Sequence, residues 1–150
     1  MAVIELENMP DTGALIGIDP GTKTLGLAIC DGLRLIASPL KTIERTKLKP
    51  DLTALFEVYD SRNVTGIVLG LPLNMDGSEG ARAQSARAFA RNLLNARNVP
   101  IAFQDERMSS AQAERAMLEA DLSRARRAEL IDASAAAVIL QTAIDRLANI

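Results

Sequence analysis

Three apolar runs crowd into residues 14–38: Ala14 to Asp19, Leu25 to Cys30 and Leu33 to Ser38. Runs this short, bounded by turn residues, read as strands rather than helices. Asp19-Pro20-Gly21 ends the first, and Asp31-Gly32, a strong hairpin signal, ends the second. Turns this tight join antiparallel neighbours, so the chain opens as a three-stranded meander.

The pattern then changes. Leu52, Leu55, Phe56 and Tyr59 recur at helical spacing, predicting a helix over 49–62. Val64 to Leu69 is short and rich in β-branched residues, the pattern of a buried parallel strand. Leu71 to Gly80 is loop-like, and 81–96 is an Ala- and Arg-rich helix. Val99 to Gln104 is a fifth strand. Ser109 or Ser110 is placed to cap a helix reaching about residue 120. A last helix is expected over 127–148. The expected fold class is α/β: a mixed five-stranded sheet, three meander strands then two parallel ones, with helices on both faces. A length of 150 residues fits one domain. Residues 1–13 are expected to form a flexible leader and 14–150 the domain.

Composition narrows the chemistry. There is no histidine, which excludes Ser-His-Asp and Cys-His catalysis and any histidine metal site. The single cysteine, Cys30, excludes an internal disulfide and fits a reducing compartment. Aromatics are only 3%, which argues against a single-strand binder that stacks bases on rings. Neither a signal peptide nor an apolar run long enough to span a membrane is present, so the expected location is cytoplasmic. The net charge of −2 does not mark a nucleic-acid binder. Arg nevertheless outnumbers Lys after residue 80, and Arg binds phosphate bidentately. Alone, that bias fits a solvated helical face paired with Glu114, Glu119 and Glu129 better than a phosphate site.

Sites in such sheets lie at the carboxyl ends of parallel strands. Four segments fall there or near it. In Gly17-Ile18-Asp19-Pro20-Gly21-Thr22-Lys23, Asp19 enters the mouth of the sheet, and Thr22 and Lys23 can meet a phosphate; a plain turn would use the same residues. Gly70, in Gly70-Leu71-Pro72-Leu73-Asn74-Met75-Asp76-Gly77-Ser78, marks close approach of a backbone or ligand, followed by a mobile or merely connecting loop. Asp105-Glu106-Arg107 ends the fifth strand; only one of its acids would enter the site, and Arg107 can orient it or hold phosphate. Asp132 precedes the apolar stretch from Ala133 to Leu140 and either faces inward or pairs outside with Arg126 or Arg127. Acids from three distant parts of a histidine-free chain suit a hard divalent ion, Mg²⁺ or Mn²⁺. Two such ions stabilise attacking and leaving oxygens at phosphorus.

These four segments, in this order and spacing, together with Ala135-Ala136 and Ile139-Leu140-Gln141, resemble the YqgF/RuvX family of Holliday-junction-resolvase-like proteins. The resemblance covers about residues 14–147. It implies a ribonuclease H-like fold and a metal-dependent nuclease that matures the 5′ end of precursor small-subunit ribosomal RNA. It implies catalytic, metal-binding acids at Asp19, Glu106 and Asp132, with Thr22, Lys23, Gly70, Arg107 and Ser109 at the substrate. The implied partners are precursor rRNA or structured DNA, with ribosome association, in a monomer or weak homodimer. This chain has Lys23-Thr24 where the family usually has Lys-Arg. Junction resolvases carry a Glu at the end of strand four; here Gly70 stands near that position and the acid follows strand five. The alternatives are a junction resolvase, a non-catalytic RNA-binding factor, and an actin-like ATPase, which needs two such lobes.

Overall fold

The computed structural model describes residues 2–106 and 124–149, with side chains from 2–106 and 133–149. Five strands form one sheet: β1 (Ala14–Pro20), β2 (Thr24–Cys30), β3 (Ala37–Glu44), β4 (Val64–Leu71) and β5 (Ile101–Asp105). Their order is β3-β2-β1-β4-β5. The first three pair antiparallel, while β1–β4 and β4–β5 are parallel. The described α-helices are α1 (Leu48–Ser61), α2 (Ala81–Ala96) and α3 (Arg124–Ala148). The expected α/β sheet, its meander opening and its strand directions are all present. The helix expected over 109–120 lies outside the described residues.

Alternation along each strand sorts its side chains onto two faces. Ile16, Ile18, Leu25, Leu27, Ile67 and Leu69 bury against Leu52 and Leu55 of α1 and Phe89 and Leu93 of α2. Leu15, Ala28, Val68 and Ala102 bury on the opposite face against Ala136, Ile139, Leu140 and Ala143 of α3. Gly17 and Asp19 share the parity of Leu15, so they lie on the α3 face. Gly17 lets the helix approach: a β-carbon there would stand 2.7 Å from Leu140 Cβ and 2.9 Å from the Ala136 carbonyl oxygen.

Two expectations are corrected. The third strand runs over Ala37–Glu44, not 33–38. The Asp31 carboxylate accepts hydrogen bonds from the amides of Leu35 (3.0 Å) and Ile36 (3.4 Å), capping a loop where a strand was expected. Arg34 adopts a left-handed φ of 57° and its guanidinium donates to the carbonyls of Gly13 and Thr12. Leu33, Leu35 and Ile36 are therefore exposed. The apolar run that imitated a strand serves a loop.

The first residues also depart from a loose leader. Leu6 and Met9 are buried against the α3 face, around a short 3-10 turn at Leu6–Asn8. The Ile4 amide donates to the Ile101 carbonyl (2.9 Å). Apolar side chains and hydrogen bonds together hold the segment to the sheet.

Candidate active site

Strand parity brings two acids together. On β5, Ala102 faces α3 and Ile101 packs on the other side. Counting on by twos, Gln104 and Glu106 turn toward α3 and Asp105 turns away. Asp19 and Glu106 thus lie on one face at one end of the sheet. Between them is Gly70 of β4, whose partner in register is Gln104. A β-carbon at Gly70 would collide with the Glu106 carboxylate. The missing side chain is the space through which Glu106 reaches toward Asp19.

The two carboxyls are hydrogen bonded to each other. Asp19 is 8% and Glu106 9% exposed, so water screens neither well. Burial pushes the Glu106 carboxyl up from its usual 4.5 to about 8, and the negative charge of Asp19 adds to the rise. Burial and the Asp19 charge therefore favour the protonated form of Glu106. A cation at the same place would replace that proton.

Arg82 borders the pair, and the turn that follows Asp19 carries a second cation. Thr22 and Lys23 are exposed in the turn after β1. The Gly21 amide donates to the Asp19 carbonyl (3.0 Å), which fixes where this turn leaves the strand. On the other flank, Arg82 lies in the first turn of α2, whose Ala83 packs against Leu71. The Leu71 carbonyl accepts the Glu106 amide (3.2 Å). Arg82 is exposed, and its positive charge opposes the rise at Glu106. Nothing local distinguishes Arg82 from the other arginines after residue 80, because its nearness to Glu106 comes from packing.

The segment after Gly70 is tied to itself. Asn74 Nδ2 donates to Ser78 Oγ (2.9 Å), and the Ser78 hydroxyl and amide both donate to the Asp76 carboxylate. These bonds give the connecting loop a defined form beside the site.

The backbone of Asp132 belongs to α3, one turn before Ala136. Ala136 lies over Gly17, while Gln141 Oε1 accepts the amide of Ala37, toward the opposite end of the sheet. The N-terminal part of α3 therefore points to the Asp19 end. Arg107 and Ser109 lie outside the described residues. Among the described residues, no three acidic, cysteine or histidine side chains form a metal-holding group. The described part of the candidate centre is Asp19 with Glu106.

A sheet of this order, covered by helices on both faces, is the ribonuclease H-like fold. The fold is similar to Thermus thermophilus RuvC, solved with a Holliday junction substrate, at a TM-score of 0.57 and 19% identity over 89% of this chain and 95% of that one. It is equally similar to fowlpox virus resolvase, solved with Holliday junction DNA: TM-score 0.57 and 11% identity, over 90% and 99%. The chain belongs to the RuvX family, described as Holliday junction resolvase, which it matches over residues 13–146. Its relatives include proteins of Cereibacter sphaeroides, 60% identical over 95% of this chain and 89% of theirs, and of Phenylobacterium zucineum, 53% identical over the full length of both. Both are named pre-16S rRNA nuclease. The chain is thus a hydrolase of the nuclease class. No described helix is long and apolar enough to cross a membrane.

Proposed function

We propose that the protein is a divalent-metal-dependent nuclease that hydrolyses phosphodiester bonds near the 5′ end of precursor 16S rRNA, in the cytoplasm and in association with the maturing ribosome. The observation that carries the chemistry is the Asp19–Glu106 pair, hydrogen bonded across Gly70 at the mouth of the sheet. The choice of substrate rests on the relatives' names.

Buried carboxylate oxygens are hard donors, and two of them pressed together repel until a cation or proton intervenes. That donor set fits Mg²⁺ or Mn²⁺. Asp19 and Glu106 would hold the ion, with Asp132 as third ligand from the end of α3 that points to the site. When bound, the ion supplies positive charge where negative charge develops at phosphorus. Lys23 and Thr22 hold the scissile strand by its phosphates on one flank, and Arg82 holds it on the other. Gly70 keeps the floor between the acids open.

The test is cleavage of an end-labelled precursor 16S rRNA by purified protein with Mg²⁺ or Mn²⁺. Cut product that disappears in EDTA and in D19N is expected. Cleavage undiminished in D19N would defeat the proposal. The family description favours one second reading, hydrolysis of branched DNA. A four-way DNA junction cut faster than the rRNA precursor would decide for it.

A further inference from the structure

The turn after Asp19 carries Thr22 and Lys23, and among the described residues Arg45, outside the turn, holds two of its main-chain carbonyls. The Arg45 amide donates to the Lys23 carbonyl (2.9 Å), and Arg45 Nη1 donates to the Gly21 carbonyl (2.7 Å). Arg45 directly follows β3, far from Asp19 in sequence. Its guanidinium also lies 5.3 Å from the centre of the Phe89 ring. Phe89 is buried in α2, so the arginine is braced by a helix while it grips the turn.

Each contact has a separate consequence. The backbone bond sets the height of Lys23, and any residue but proline at 45 retains it. The guanidinium bond sets the orientation of the Gly21 peptide, and only the side chain supplies it. The turn is tight at Gly21, where a β-carbon would stand 2.8 Å from the Thr24 carbonyl oxygen. A rotated Gly21 peptide therefore displaces Thr22 and Lys23, because the turn lacks slack to absorb the change. Stacking on Phe89 holds the planar guanidinium in place, and a charge over a ring face is an attractive arrangement.

We infer that Arg45 is a positioning residue for nucleic-acid binding: it holds the Gly21–Lys23 turn so that Lys23 meets a substrate phosphate beside Asp19. This rests on the proposed role of Lys23 and extends it to a residue with no substrate contact of its own. Two measurements on the full chain test it. The first needs no nucleic acid. Nitrogen-15 relaxation is expected to show lower order parameters for the Thr22 and Lys23 amides in R45A, with recovery in R45K. The second is binding of a fluorescein-labelled single-stranded RNA in EDTA. K23A should weaken binding and lower the salt slope by about one. R45A should weaken it by a similar factor, roughly 3- to 10-fold, through the same lost contact. The double variant should then bind no worse than K23A alone, since two substitutions acting through one contact do not add.

Losses that add, or an R45A protein with an unchanged turn and unchanged binding, overturn the role. If K23A itself leaves RNA binding intact, the proposed phosphate contact fails along with it. If K23A weakens binding and R45A does not, only the inference about Arg45 fails. R45M, which keeps bulk over Phe89 but donates no hydrogen bond, takes the place of R45A should that variant fold poorly.

Discussion

Glu106 reaches Asp19 over a glycine. The carboxyl just after β5 crosses Gly70 of the intervening strand and hydrogen bonds to the acid near the end of β1. Most of what can be tested about this nuclease follows from that contact and from the glycines beneath it.

Replacing Gly70 by alanine puts a methyl group where the Glu106 carboxylate lies, with Ile139 Cδ1 only 2.8 Å from the new carbon. The carboxylate must then swing off its position. The expected cost is about 1–3 kcal/mol of stability, the usual range for overpacking. Cleavage should fall further, by roughly 100-fold, because small misplacement of a reacting group is expensive in rate. Urea titration and single-turnover cleavage of the same preparation check both. A G70A enzyme of wild-type rate would mean that the gap is not needed.

The metal-free protein should lose stability as pH rises. The Glu106 carboxyl is raised from 4.5 to about 8 in the folded chain. Between those values the folded state keeps a proton that the unfolded chain has released, so unfolding gains as pH climbs. This contribution to stability is intact below about 4.5 and is lost progressively up to about 8. Melting in EDTA across that range should show the decline, and E106Q should flatten it. Added Mg²⁺ or Mn²⁺ should raise the melting temperature most at the alkaline end, where no proton competes. A metal effect independent of pH would argue against binding at this pair.

Asp19→Asn keeps the shape of the side chain and removes its charge. Cleavage should drop by about 10²–10³-fold, the scale of losing one electrostatic contact with a transition state. Folding should survive, because an amide can still hydrogen bond to Glu106. Circular dichroism beside the cleavage assay separates the two effects.

Arg82→Ala should act on binding rather than on chemistry. Arg82 borders the acids without touching the reacting bond in the proposed arrangement. KM is expected to rise, kcat to change little, and the salt dependence of RNA binding to weaken by about one unit of slope. An equal fall in kcat and kcat/KM would instead assign Arg82 to the transition state.

Gly17→Ala tests how α3 is seated. The new carbon would meet Leu140 Cβ and the Ala136 carbonyl oxygen. Both belong to the body of the helix, so neither can rotate away. A loss of about 1–3 kcal/mol is expected in denaturant titration. Unchanged stability would mean that the helix shifts freely on this face.

Short-range patterns determined much of this protein. Turn chemistry at Asp19-Pro20-Gly21 and Asp31-Gly32 ended β1 and β2 where expected. Helical spacing placed α1 within a residue at each end, and α2 runs over the expected 81–96. The absence of histidine excluded Ser-His-Asp and Cys-His catalysis and any histidine metal site. Alternation from Ile101 assigns Glu106 and Asp105 to opposite faces, but the resemblance, not the local pattern, selected Glu106. The tertiary structure decided the rest. The run from Leu33 to Ile36 has strand-like composition, but Asp31 and Arg34 hold its backbone in a loop. The first residues are held because Leu6 and Met9 find an apolar face, which a sequence pattern does not display. Arg82 and Arg45 gain their importance from packing alone: one borders Glu106 and the other grips the turn after Asp19. Local sequence sets backbone preference and side-chain parity, whereas convergence of distant groups depends on how the layers pack.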